Sequence, residues 1–85
     1  GCSIPTHGIA LRALARGFAR FGSGAGLAPQ RAAAAQRLRA AVAAAPLMVG
    51  GSARFDTLLM ARLGERAFVK VGAEGVYCAA LPHLG

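Results

Sequence analysis

Position 70 holds the only lysine of a chain with nine arginines, in a run where an ammonium could do chemistry. Phe68-Val69-Lys70-Val71 alternates, Gly72-Ala73-Glu74-Gly75 has the composition of a turn, and Val76-Tyr77-Cys78-Ala79 returns. A lysine that is desolvated gives up its proton more readily and can act as a base, whereas arginine stays charged. On a strand, such a group can hydrogen-bond a serine hydroxyl of a neighbouring element. The glycine two residues later lets substrate approach the backbone closely. The competing reading is a lysine whose stem lies along an edge strand with its charge in water, and spacing alone favours that one.

The other candidates are weaker. Cys2 and Cys78 are able to form one disulfide at most, with no framework of the secreted kind, and Cys78 has the setting of a buried, inert thiol. His7 and His83 stand near opposite ends of the chain without an identifiable partner. Ser3 and Ser52 have no evident base nearby in sequence. Glu74 is either a solvated turn residue or a substrate contact. Tyr77 either shares the face of Lys70 or simply covers the sheet.

Three helices and a hairpin are expected to position these residues. Pro5 and Thr6 open the first helix, with Thr6 as N-cap. Leu11, Leu14, Phe18 and Phe21 form one stripe at about 100° per residue, and Arg12, Arg16 and Arg20 lie on a separate face. Glycines from Gly22 to Gly26 end this helix. Pro29 suits the first turn of the second helix, which runs from Gln30 to Ala45 and stops at Pro46. Its alanines give high helical propensity, with Leu38 and Val42 as its sizeable apolar residues. The third helix has Asp56 as N-cap, Leu58 to Leu63 as body and Gly64 just beyond its end. In the hairpin, a two-residue loop puts Cys78 on the valine face, and a three-residue loop puts it on the face of Lys70.

Composition narrows the classes of function. The net charge is +7, with Asp56, Glu65 and Glu74 as the only acids. Such a balance suits nucleic acid or an anionic membrane, and Arg12, Arg16 and Arg20 would carry that activity. The absence of a dense basic cluster argues against it. No apolar run reaches the roughly 18 residues of a membrane span. The first 21 residues are Arg-rich and acid-free, like a transit peptide, although Gly1-Cys2-Ser3-Ile4-Pro5 is an unusual start for one. A chain this short buries about 60% of its unfolded surface. With no Trp and one Tyr, it is not expected to build a stable core alone.

A resemblance then runs along the whole chain. Gly1-Cys2-Ser3-Ile4-Pro5-Thr6, Met48-Val49-Gly50-Gly51, Arg54-Phe55-Asp56-Thr57 with Leu59-Met60, and Lys70-Val71-Gly72-Ala73-Glu74-Gly75-Val76-Tyr77 occur in this order. Their spacing resembles that of the class 3, rhizobial-type L-asparaginases, the asparaginase II family. The resemblance implies an α/β fold similar to serine β-lactamases, with helices packed on an antiparallel sheet. Those enzymes pair an S-x-x-K motif with a strand triplet K-T-G. It also implies hydrolysis of L-asparagine to L-aspartate and ammonia, with Lys70 as the strand lysine of a serine–lysine pair that activates a hydroxyl. Gly72, Ala73 and Glu74 would form the oxyanion and substrate-binding turn, Ala73 donating its N–H. Cys2 matches a cysteine of the family's zinc site, although the chemistry requires no cofactor. The complete protein would be a cytoplasmic homodimer that binds neither nucleic acid nor membrane.

The departures are specific. The family's S-x-x-K and its other zinc ligands do not occur within residues 1–85, and one cysteine falls short of the three protein ligands usual for zinc. Val71 stands where K-T-G has a hydroxyl. Some relatives carry a cysteine near position 56, where this chain has Asp56. Residues 1–85 are therefore expected to be part of an asparaginase II domain, incomplete at both ends and inactive by themselves.

Overall fold

The computed structural model describes residues 3–85. Four α-helices precede a β-hairpin: α1 Leu11–Ser23, α2 Pro29–Ala44, α3 Pro46–Gly50, α4 Phe55–Leu63, β1 Phe68–Val71 and β2 Tyr77–Ala80. Single 3-10 turns occupy Gly64–Arg66, Ala73–Gly75 and Pro82–Leu84. The two strands pair antiparallel, so the architecture is the expected α/β arrangement of helices on an antiparallel sheet.

The three expected helices are α1, α2 and α4, with one shifted start and one addition. Residues around Thr6 are not helical, and α1 begins only after Ala10, which is extended and offers no side-chain cap. Gly8 and the lack of a capping bond leave nothing to nucleate a turn there. Its other end closes as the glycines suggest: Gly24 is left-handed and its N–H donates to the Arg20 carbonyl at 2.7 Å, a C-terminal cap. Pro46 does end α2, and it also opens the short helix α3, because a proline needs no N–H at a first helical position.

The hairpin packs between α1 and α4. Phe68, on one face of β1, meets Phe21 edge-on at 5.0 Å and Phe18 at 5.8 Å between ring centroids. Its cross-strand partner Ala80 lies under Gly22, where an added Cβ would sit 2.7 Å from the Ala80 Cβ. This close approach seats β2 on α1. On the other face, buried Val69 joins Met60 and Ala67, with Val42, Val49, Leu59 and Leu63 packed around them. α2 contributes little bulk: Ala35 is its buried residue and Leu38 is exposed.

α4 runs along the free edge of β1. The Val69 N–H donates to Met60 Sδ at 3.5 Å and the Val71 N–H to Asp56 Oδ2 at 3.4 Å. Four residues of helix rise about 6 Å and two residues of strand about 6.6 Å, so residues 56 and 60 match residues 71 and 69. The reversed order means that α4 and β1 run in opposite directions. Side chains of α4 thus take up strand donors that a third strand would otherwise bond.

Candidate functional site

Lys70 lies opposite Cys78 in the hairpin register, and Val71 opposite Tyr77. Cys78 therefore shares the face of Lys70, and Tyr77 lies on the other face, where its ring meets Phe55 edge-on at 5.7 Å. The cause is the turn. Gly72 N–H donates to the Val76 carbonyl at 2.6 Å, and Val76 N–H donates to the Ala73 carbonyl at 3.4 Å. Gly72 and Ala73 together oppose Val76, which is a β-bulge. The two central turn residues are then Glu74 and Gly75, and the bulge gives the register expected of a three-residue loop. Both have positive φ, 60° and 74°, as a type I′ turn requires. Gly75 does this freely, whereas Glu74 bears a strain of about 1 kcal/mol.

α1 covers only one end of the sheet face that carries Lys70. Phe68 and Ala80 lie beneath it, while Lys70, two pairs further along, is exposed and Cys78 is a half-buried free thiol. Cys78 is thus less enclosed than its apolar surroundings in sequence suggest, because α1 does not reach it. The Lys70 ammonium donates to the Val71 carbonyl at 2.7 Å. The bulge brings Gly72, Ala73 and Glu74 to the same open end, all three exposed. The Gly72 and Val76 N–H groups close the bulge, which leaves the Ala73 N–H outside the ladder.

Asp56 is not the N-cap of α4 that its sequence context predicts. Arg54 occupies the N-cap of α4, and Asp56 lies inside its first turn with none of its surface exposed. Its Oδ2 accepts the Val71 N–H, and its buried Oδ1 has no partner among the described residues. The carboxylate is drawn inward because its helix position faces the edge of β1, whose Val71 N–H needs an acceptor. One signal was available in sequence: Asp56 precedes Met60 by four residues, on the buried side of the helix. Thr57 is also buried and donates to the Gly51 carbonyl at 2.6 Å, fixing the α3–α4 connection.

The remaining candidates are dispersed. Ser3, Ser52, His7 and His83 are exposed. Arg12, Arg16 and Arg20 are exposed along α1. Cys2 lies outside the described residues. Among those described, no three His, Cys, Asp or Glu side chains gather as a metal site, so they do not fit zinc by themselves. An apolar groove lined by Ile9, Leu14, Phe18, Phe21 and Phe68 runs beside α1; it does not include Lys70. No helix among the described residues is long and apolar enough to cross a membrane.

The family model for L-asparaginase II matches residues 1–85, and the chain belongs to that family. Its class of activity is accordingly asparaginase-type amide hydrolysis, with asparagine as the family's substrate. No curated protein matches the chain.

Proposed function

We propose that this chain supplies the lysine and the oxyanion turn of a serine–lysine amidohydrolase acting on L-asparagine. The observation that supports the reading is the hairpin end that α1 does not cover, where Lys70 is exposed and the Ala73 N–H lies outside the ladder. A serine hydroxyl from outside residues 1–85 attacks the side-chain amide carbon of asparagine. Lys70 orients that hydroxyl and, as the neutral amine rather than the ammonium, takes its proton as the O–C bond forms. Negative charge developing on the amide oxygen is met by the Ala73 N–H. Collapse of the tetrahedral species breaks the C–N bond, and the proton returns to the departing nitrogen to give ammonia. Water then hydrolyses the aspartyl ester to L-aspartate. Glu74, exposed beside the bulge, would be the substrate contact, its carboxylate complementary to the α-ammonium.

Cys2 would contribute a thiolate to zinc only together with ligands from outside these residues. The test is ammonia release from L-asparagine, measured with and without Lys70→Met in a protein that carries these residues together with the family's serine. Loss of turnover with retained helicity is expected. Residues 1–85 alone are expected to release no ammonia, and release by them would overturn the serine–lysine assignment.

A further inference from the structure

The edge of β1 is capped unevenly. At Val69 the acceptor is the weakly polar Sδ of Met60. At Val71, one residue beyond Lys70, it is the carboxylate of Asp56, with no exposed surface and only one of its oxygens bonded. A buried carboxylate with a single long hydrogen bond is costly, and the N-terminal turn of α4 offsets only part of that cost. Edge closure alone is satisfied by a sulfur two residues away, so the charge at Val71 calls for a separate cause.

The N–H and C=O of one strand residue point to the same side of the strand. Val71 accordingly presents both groups to the free edge: its N–H is held by Asp56 Oδ2 and its carbonyl holds the Lys70 ammonium at 2.7 Å. The two peptide groups that flank the Val71 Cα thus hold the two side chains, carboxylate on the N–H of one and ammonium on the carbonyl of the other. Rotation of this residue about its backbone would move the Lys70 anchor directly.

We propose that Asp56 is a positioning residue for Lys70, acting through Val71. It fixes the edge orientation of Val71 and so the resting place of the ammonium, within reach of the incoming hydroxyl. The proposal rests on Lys70 being the catalytic lysine, and two separable readouts test it. One is the rate at which an amine-acylating reagent modifies Lys70, resolved by peptide mass spectrometry. The other is the split of kcat and KM for L-asparagine in a protein carrying the family's serine.

Asp56→Ala is expected to raise Lys70 acylation several-fold and to lower kcat about a hundredfold with KM little changed, as for a small displacement of a reacting group. Asp56→Asn keeps an oxygen for the Val71 N–H and is expected to reverse most of both changes. Wild-type acylation and kcat in Asp56→Ala would overturn the proposal, as would an Asn variant no better than Ala. If turnover does not depend on Lys70 at all, the catalytic reading fails, while the acylation rates still decide whether Asp56 positions the lysine. Should Asp56→Ala fail to fold, amide exchange of the unmodified protein decides. Val71 protected well beyond exposed Glu74 supports the bond, and equal exchange at the two positions overturns it.

Discussion

Lys70 is the one lysine of an arginine-rich chain, and it is exposed at the open hairpin end, as the reading of an edge lysine with its charge in water also predicts. Its strand and its turn were legible in the alternation of Phe68 to Val71 and in the paired glycines. The register was not, because Gly72 and Ala73 form a bulge and Glu74 takes a left-handed conformation that residue type does not announce. Asp56 was misread for a related reason. Aspartate is a good N-cap in isolation, and only the packing of α4 along β1 reveals a strand N–H that needs it. The Ala73 N–H can be tested separately. Gly72 is extended, with φ −116° and ψ 174°, as a residue before proline must be. Ala73→Pro removes the N–H and is expected to lower kcat about 100- to 1,000-fold, with the far-ultraviolet circular dichroism unchanged. Full activity in this variant would remove Ala73 from the oxyanion role.

At the level of elements, the site depends on how α3 and α4 are joined. Gly50 packs so closely on Thr57 Oγ1 and on the carboxylate of Asp56 that an added Cβ would collide with the hydroxyl and lie 3.1 Å from Asp56 Oδ1. Gly50→Ala is expected to destabilise the fold by about 1–3 kcal/mol through overpacking and to shift Asp56 against Val71. Thermal denaturation with amide exchange at Val71 measures both effects, and an unchanged melting temperature would show that the connection is slack. The Met48-Val49-Gly50-Gly51 block was visible in sequence as part of a resemblance. Its physical reason, room for α4 to dock, was not, since no local pattern encodes contact between residues 50 and 57. The short helix α3 was hidden similarly, because Pro46 is equally able to stop one helix and to start the next.

The whole molecule has a thin core. Among the described residues five apolar side chains are buried, most of them small, while twelve large apolar ones are exposed. The Cα radius of gyration is 13.2 Å, against about 12 Å for a compact chain of this length. Scarcity of bulky residues made this legible beforehand. The net charge of +7 invites a nucleic-acid or membrane function, yet Arg12, Arg16 and Arg20 stand on α1 and belong to no part of the proposed site. Replacing all three by Gln is expected to leave asparagine turnover unchanged, each change shifting stability by no more than about 0.5 kcal/mol. If the arginines instead sustained DNA or vesicle binding that weakened steeply with salt, and turnover were absent, the basic-module reading would replace the enzymatic one.

The central claim concerns one ammonium, and Lys70→Met tests it most directly, assayed by ammonia release from L-asparagine in a protein that carries these residues with the family's serine. Lys70 is exposed, so the substitution should alter stability by no more than about 0.5 kcal/mol while turnover is lost. Turnover retained by a folded Lys70→Met protein would contradict the account.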